Sequence, residues 1–507
     1  MSRIILNSAS VLALSCLAAM PALAQDASPL TDIISVSGHQ LDTGQIARLD
    51  PATLPLSGPD AAALIARLPG AAAVGNGVLS SQVQYRGLSG GRINLRIDGQ
   101  NFESGGPNLM DPPLHYAPIA LIERIEVDRS VSPVRSGPGL AGGVNTVFKQ
   151  VGFGETGQWQ TRYDLTLAGR TADDSRSIGG VVGIANDQFR VQLLGSSESG
   201  DDISWPGGMI GGSAHERLVY GAGLGYRTGV HEFSLDLRRQ ETNATGNPPF
   251  AMDIRYFDTD FARIGYRGDW DGVNVSAHLA VADIAHAMNN YDLRPAPVMA
   301  AMYRESLATA RTVSGGGDAA FAALGGSLRL GVDGEQAEHA LVITNPNNAN
   351  FVLNSLSGIT MERTGAFAEW TGEVGEWQTE LGLRADRHRA EAGPASVGTA
   401  VPAMPGMLAM TFNATDRRLD DTTLDAVARL WRPVSESTTL RLTLARKTRA
   451  PGYVERFAWL PTEASGGLAD GNTYVGNPDL TPETAWIAEA GLDWAFSSAY
   501  ARPTVFY

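Results

Sequence analysis

Alternation of apolar and polar side chains with a period of two is the feature of this 507-residue sequence that most constrains its fold. It recurs between residues 158 and 500. Four examples are QFRVQLLG (188–195), HEFSLDLRR (231–239), WQTELGLR (377–384) and TTLRLTLAR (438–446). Successive side chains of a strand point to opposite faces, so each segment predicts a strand with one apolar and one polar face. Most of the chain is therefore predicted to be β structure.

Strands of this kind occur both in soluble β-sandwiches and in membrane β-barrels. A sandwich rarely sustains so many strands, and its outer face needs no aromatic residues at the strand ends. Here aromatic residues lie near several predicted strand ends: Trp159, Tyr163, Tyr220, Tyr226, Tyr256, Tyr266, Trp370 and Trp431. An apolar outer face, a polar interior and aromatic girdles are typical of an outer-membrane barrel. We therefore predict a transmembrane antiparallel β-barrel over residues 150–507.

The predicted connections alternate in length, as they do in such barrels. Short turns at 185–188 and 268–272 are expected on the periplasmic side. Long polar segments at 285–312 and 390–419 are expected on the outer side.

The first 24 residues predict a secretory signal peptide. Arg3 supplies the positive charge, Ile4 to Met20 form an apolar stretch, and Ala22 to Ala24 give an A-x-A cleavage site. Cys16 is the only cysteine, so the exported chain has no disulfide. No later stretch offers about 20 apolar residues, which excludes helical membrane spans. The net charge of -15 argues against a nucleic-acid partner.

Residues 45–149 follow a different pattern and predict a mixed α/β domain. SGPDAAALIARLPG (57–70) predicts a helix with Ser57 or Asp60 near its start and Gly70 after its end. QVQYRGL (82–88), INLRIDGQ (93–100) and IERIEVDRS (122–130) predict short strands. A large barrel is wide enough to hold a domain of this size, so we expect a plug in its lumen.

An ordered set of motifs gives the chain a resemblance to a known family. The set comprises DIISVSG (32–38), LIARLPG (64–70), QYRGL (84–88), NLRIDGQ (94–100), IERIEVDRS (122–130), SGPGLAGGVNTVFK (136–149), RAPGYVERF (449–457) and GNPDLTPET (476–484). In this order they resemble the motifs of TonB-dependent outer-membrane receptors over nearly the whole chain. The resemblance implies the outer membrane of a Gram-negative bacterium, insertion among its lipids by the barrel-assembly machinery, and energy supplied through TonB and its inner-membrane complex.

The resemblance also implies which residues meet TonB. In the periplasmic N-terminal segment 25–44, residues 32–38 resemble the TonB box. Such a segment can add as a strand to the sheet edge of a partner. The residues implied in this contact are Ile33, Ile34, Ser35, Val36 and Ser37.

Two segments resemble the binding segments of TonB-dependent copper receptors: GGPNLMDPPLHY (105–116) and AHAMNNYDLRP (285–295). The resemblance implies Met110, His286 and Met288 as copper ligands. The subfamily carries a cysteine where this chain has Gly106, so a thiolate ligand is missing. Thioether and imidazole groups suit copper, whereas ferric iron prefers oxygen donors.

The strand pattern permits these residues to meet. Even-numbered residues from Asn274 onward are predicted to face the lumen if no bulge intervenes, and this places His286 and Met288 inside. His286 lies about 14 residues beyond the turn at 268–272, which corresponds to a rise of about 30–35 Å, past an apolar band of about 25 Å. Met110, on a plug loop, is expected to meet them there.

Other soft or imidazole side chains have two interpretations. His115 is either an outer group of the metal site or a packing residue. Met404, Met407 and Met410 lie three residues apart in an expected outer loop, where they either capture copper or pack against the loop.

The sequence thus predicts a TonB-dependent importer of copper, with copper as cargo and no tightly bound cofactor. The alternatives are a receptor for another metal chelate, such as a siderophore or haem, and a passive surface protein or adhesin. An enzyme is not expected, because the sequence has no nucleophile elbow, no HExxH motif and no paired carboxylates at useful spacing.

The predicted strand number is low for the family that the chain resembles. Those barrels have about 22 strands around a plugged lumen. Residues 151–507 are enough for about 14–17 strands. We therefore expect a 22-stranded type of barrel that is truncated at its C-terminus.

Overall fold

The computed structural model describes residues 46–54, 58–75, 77–79, 81–101, 103–107, 111–462, 472–496 and 499–507. The predicted signal peptide and the segment at 32–38 lie outside these residues.

The N-terminal part of the described chain forms two small sheets. Its strands are β1 (Ile46–Leu49), β2 (Ala71–Gly75), β3 (Ser81–Tyr85), β4 (Leu88–Ser89), β5 (Asn94–Ile97), β6 (Gln100–Asn101), β7 (Ile122–Asp128) and β8 (Gly143–Phe148). One sheet has the order β1-β7-β8-β5-β6 and the other β2-β3-β4. β5 and β8 are parallel, and the other pairs are antiparallel. The three strands predicted in this region are present.

The helices of this part are short. They are α1 (Ala62–Ile65) and 3₁₀ turns at Pro51–Thr53, Gly90–Arg92, Pro113–Tyr116, Ile119–Leu121 and Val134–Ser136. The prediction of a helix through 57–70 was therefore too long. The Asp60 carboxylate accepts a hydrogen bond from the Ala62 N–H at 3.0 Å and starts the helix. Pro69 disfavours a helical conformation at Leu68, and Gly70 then turns with φ +79° into β2. Ser57 lies outside the described residues.

The remaining strands form a wall around this N-terminal part. They are β9 (Gln160–Arg170), β10 (Ser175–Ala185), β11 (Phe189–Gly200), β12 (Ile203–Trp205), β13 (Gly208–Ile210), β14 (His215–Thr228), β15 (His231–Thr242), β16 (Asp253–Trp270), β17 (Val273–Asn289), β18 (Glu305–Ala323), β19 (Gly326–Thr344), β20 (Val352–Val374), β21 (Trp377–Glu391), β22 (Ser396–Val397), β23 (Arg418–Ser435), β24 (Thr438–Arg449), β25 (Glu483–Ala495), β26 (Tyr500–Ala501) and β27 (Thr504–Phe506). The helices α2 (Ala403–Asn413) and α3 (Tyr453–Phe457) and a 3₁₀ turn at Ala300–Met302 lie in the connections.

The wall strands form a closed antiparallel barrel in which β9 completes the ring; β12 and β13 form a separate hairpin. Fourteen of the ring strands described have eleven residues or more, within the predicted range. Outward positions are exposed and apolar, as at Leu167, Leu193 and Leu383, whereas inward positions such as Arg384 and Asp386 are buried and charged. The predicted alternation is confirmed, and its apolar face is the outer one. Among the described residues, no helix has both the length and the apolarity needed to cross a membrane.

The connections are short at one end of the barrel, the turn end, and long at the other, the loop end. At the turn end Asp271 and Gly272 join β16 to β17 with φ +49° and +82°, the left-handed pair of a tight hairpin. At the loop end the strands extend further than predicted. β17 continues to Asn289 and β18 begins at Glu305, because the alternation of side chains persists above the apolar outer band. The second long segment contains β22 and the helix α2.

The N-terminal part is held inside the ring by polar contacts, so it is a plug. Arg86 pairs with Glu489 of β25, and the Ser130 hydroxyl donates to the same carboxylate at 2.7 Å. Arg384 of β21 donates to the Val134 carbonyl at 3.3 Å. The Val134 side chain packs where β21 has a glycine: a Cβ on Gly382 would lie 2.6 Å from Val134 Cγ2. The plug therefore fits the wall through both charge and shape.

Gly382→Val is expected to loosen the plug. Overfilling a packed contact of this kind costs about 1–3 kcal/mol, so limited proteolysis of the detergent-solubilised protein should cut the plug several-fold faster. Leu381→Val is the matched control, because Leu381 is on the same strand and faces outward. Equal cleavage of the two variants would contradict the contact.

Candidate functional site

The inner face of β17 near the loop end carries the predicted ligands of the wall. Ile284, His286 and Met288 are all buried, with His286 3% and Met288 1% exposed. The one irregularity in the pairing with β16 lies between Ile254 and Tyr256 on the β16 side. The alternation along β17 is therefore continuous, and both ligand candidates face inward as predicted.

A glycine pair of the plug contacts this face. A Cβ on Gly105 would lie 2.6 Å from Ile284 Cγ2, and a Cβ on Gly106 would lie 2.8 Å from His286 Cε1. Distances under about 3 Å are too short for a real Cβ, so only glycine lets the loop lie this close to the wall without a shift. Gly106, at the expected cysteine position, thus lies directly against His286.

Asp111 fixes the shape of this plug loop. Its carboxylate accepts hydrogen bonds from the Gly105 N–H at 2.7 Å, the Gly106 N–H at 2.9 Å and the Tyr116 hydroxyl. Its side chain is fully buried, and this burial raises the pKa of the Asp111 carboxyl to about 6. Asp111 is not among the residues that the sequence predicts. The sequence feature that could have indicated it is the position of Asp111, five residues after Gly106 and six after Gly105. At this spacing the carboxylate can accept hydrogen bonds from the two glycine N–H groups and so close the loop.

His286 and Met288 lie in an apolar surrounding. The ring centroids of His286 and Phe257 are 3.8 Å apart. Met288 belongs to a buried cluster that also contains Phe257, Leu341 and Trp459. Within the described part of the chain, the Nδ1 atom of His286 has no hydrogen-bond partner. The imidazole and the thioether are thus both buried, each with apolar side chains around it.

Met110, the predicted ligand of the plug, lies outside the described residues, as do its two predecessors. The residues on either side that are described, Pro107 and Asp111, are buried. Its role as a ligand stays a prediction.

His115 lies beneath the site. Its Nε2 atom is 3.2 Å from the Thr242 hydroxyl oxygen, and its ring meets Phe257 edge to face at 5.3 Å. Burial lowers the pKa of His115 well below its ordinary value, which keeps the ring neutral. His115 thus contacts the same Phe257 ring as His286, and the geometry fits packing behind the site.

The three methionines at 404, 407 and 410 lie on α2 rather than in an irregular loop. Their exposed fractions are 72%, 62% and 67%, whereas Ala409 and Phe412 of the same helix are buried. Residues three apart lie near one another on a helix surface. Exposure of this extent does not favour packing against the loop, and the three methionines lie on the exposed side of α2.

A second buried imidazole lies nearby on the wall. His339 of β19 is paired with Ala310 of β18, which is itself paired with Ile284 of β17. Its ring stacks on Tyr453 with centroids 3.9 Å apart. Neither ring nitrogen has a hydrogen-bond partner among the described residues. His339 is not among the residues that the sequence predicts, although its inward position follows from the alternation along β19.

No group of three or more His, Cys, Asp or Glu side chains among the described residues is placed to hold a metal ion. A metal site at His286 therefore depends on sulfur ligands.

Comparison with known proteins gives matches over most of the chain. Residues 56–144 match the family described as TonB-dependent Receptor Plug Domain. Residues 204–507 match the family described as TonB dependent receptor-like, beta-barrel. The ferrienterobactin receptor of Escherichia coli K12 is 26% identical over 160 residues, which cover 29% of this chain and 21% of that receptor. The match thus spans about a fifth of the receptor's length.

Several solved structures share the fold. The copper transporter OprC superposes with a TM-score of 0.76 at 20% identity, covering 91% of this chain and 72% of its own. The hemophore receptor HasR of Serratia marcescens, in complex with its hemophore and heme, gives 0.67 at 18% identity, with 91% and 72% covered. The siderophore receptor PirA of Acinetobacter baumannii gives 0.65 at 15% identity, with 91% and 70% covered.

Gly105→Ala is expected to push the plug loop away from the wall. The added methyl group overlaps Ile284, a conflict that costs about 1–3 kcal/mol, so the amides of Gly106 and its neighbours should exchange hydrogen faster. Ile284→Ala in the same chain removes the overlapping carbon and should restore slow exchange. Gly211→Ala is the control, because nothing lies within 4 Å of that position. Unchanged exchange in Gly105→Ala would contradict the close approach.

Proposed function

This chain belongs to the TonB-dependent receptor family, and we propose that it imports copper across the outer membrane of a Gram-negative bacterium. The observation that carries the proposal is the pair of buried donors on the inner face of β17. His286 and Met288 offer a borderline imidazole and a soft thioether, the ligand types that suit copper. Their burial, at 3% and 1% exposure, suits an ion more than a bulky chelate.

The proposed site is completed by the plug. Gly105 and Gly106 bring the loop against β17, and Met110 follows four residues after Gly106. A thioether from the plug and two donors from the wall would then hold one ion between two bodies. The fold likeness to a copper transporter accords with this cargo.

The proposed transport step separates these bodies. TonB takes up Ile33, Ile34, Ser35, Val36 and Ser37 as an added strand and pulls on the plug. The contacts of Arg86 with Glu489 and of Val134 with β21 break. The loop then leaves β17, Met110 parts from His286 and Met288, and the ion is released toward the periplasm.

The helix α2 is proposed to serve an earlier step. Met404, Met407 and Met410 expose thioethers at the loop end, where an incoming soft ion would meet them first. Exposed sulfur with few competing contacts would bind weakly and pass the ion on.

Met288→Leu tests the site. Leucine keeps the bulk of the side chain in its apolar cluster and removes the sulfur, so affinity for Cu(I), or for Ag(I) as its surrogate, should fall at least about tenfold, which corresponds to about 1.4 kcal/mol. Titration against a competing chelator measures this. Met252→Leu is the control, since Met252 is buried in the same cluster. Undiminished binding by Met288→Leu would refute the assignment.

Deletion of residues 33–38 separates active import from passive binding. The purified variant should bind copper as the intact chain does, because the site is elsewhere. Cells that carry it should lose the receptor-dependent part of their copper content, measured by elemental analysis. Copper uptake that survives the deletion would point to a passive protein, and a change in iron rather than copper would point to a siderophore or haem receptor.

A further inference from the structure

Gly106 occupies the position of the subfamily's cysteine, and the side chains of Asp111 and His286 lie on either side of it. A Cβ on Gly106 would lie 2.8 Å from Asp111 Oδ1 and 2.8 Å from His286 Cε1. The carboxylate and the imidazole therefore approach each other across the bare glycine. Asp111 Oδ1 is therefore next to the position from which the subfamily's cysteine would extend its thiolate.

The distance between the Asp111 carboxylate and the His286 ring suits a metal ion between them better than a direct hydrogen bond. Asp111 Oδ1 is 4.0 Å from His286 Nδ1, which is too far for a hydrogen bond. Metal bonds to nitrogen and oxygen are about 2.0–2.2 Å long, so two donors on either side of one ion lie about 4 Å apart. The distance therefore fits two ligands of a single ion with little movement of either.

The hydrogen bonding of His286 Nδ1 and Asp111 Oδ1 is compatible with metal coordination by both atoms. His286 Nδ1 has no hydrogen-bond partner among the described residues, and an unpaired buried polar atom costs free energy. Among the described residues, Asp111 Oδ1 accepts a hydrogen bond from the Gly106 N–H, and a carboxylate oxygen has two lone pairs. The other oxygen is occupied by the Gly105 N–H and the Tyr116 hydroxyl. These hydrogen bonds fix the carboxylate where its Oδ1 atom faces His286 Nδ1.

We infer that Asp111 is a direct ligand of the transported ion and that its carboxylate stands in for the missing thiolate. The inference rests on the proposed copper site and deepens it. A carboxylate is harder than a thiolate, and with the imidazole it shifts the ligand set toward Cu(II). Divalent copper would then be held by Asp111, His286 and Met288.

The competing explanation is that Asp111 only closes the loop. Asp202 provides a matched case of that role: its carboxylate accepts the N–H groups of Ser213 at 2.6 Å and Ala214 at 2.9 Å within a loop far along the chain. Asp202→Asn is therefore the control for the loss of a loop-closing carboxylate.

The decisive measurement uses the full-length solubilised protein with its aspartates labelled with ¹³C at the carboxyl carbon. Once Cu(II) is added, electron–nuclear double resonance should detect a carboxyl ¹³C coupled to the copper electron spin, together with a histidine nitrogen. Asp111→Asn should abolish the ¹³C coupling and weaken Cu(II) binding at least about tenfold, while Ag(I) binding changes less than about twofold. Asp202→Asn should change none of these.

The outcomes separate this inference from the proposed function. A Cu(II) spectrum of the intact protein without carboxyl ¹³C coupling overturns the inference even if Asp111→Asn misfolds, and copper import then stands with other ligands. Coupling that persists in Asp111→Asn overturns it as well. An intact protein that binds neither Ag(I) nor Cu(II) refutes the copper site itself.

Discussion

The pairing of the wall strands in a closed ring is the constraint on which the rest of this structure depends. A backbone amide that faces lipid cannot bond to water, so each strand must satisfy its polar groups through its neighbours. A closed antiparallel ring does this and leaves the side chains free to differ on the two faces. The outer face can be apolar, and the inner face can then hold the buried ion pair of Arg384 and Asp386, of which Arg384 contacts the plug at the Val134 carbonyl.

The proposed function depends on the division of the protein into a plug and a barrel wall. The plug is fixed to the wall by a few specific contacts, such as Arg86 with Glu489 and Val134 with Gly382. The candidate ligands are divided between the same two bodies. In the proposed mechanism, a force that breaks the first set of contacts would also separate the ligands, so that plug movement and ion release would be one event. No separate gate is required in this scheme.

Much of this arrangement is predictable from the sequence, for physical reasons that differ by region. The period of two along β17 fixes which side chains face inward, so the positions of His286 and Met288 follow from parity once the barrel is assumed. The α1 helix was overestimated, because helical composition over 57–70 is overruled by Pro69 and by the positive φ of Gly70. The helix α2 was missed because Pro402 and Pro405 lie near its start in a stretch that reads as a loop. Asp111 and His339 depend on contacts between segments far apart in the chain, which local pattern does not specify.

The difference in exposure between the methionines of α2 and Met288 has a consequence for oxidising surroundings. A thioether that meets peroxide or hypochlorous acid becomes a sulfoxide, which is polar and no longer a soft donor. Met404, Met407 and Met410 are open to such reagents, while Met288 is 1% exposed and belongs to a buried cluster that contains aromatic residues. Oxidative damage would therefore fall on the outermost sulfur atoms first. The buried Met288 would remain an unoxidised thioether under conditions that oxidise the exposed methionines.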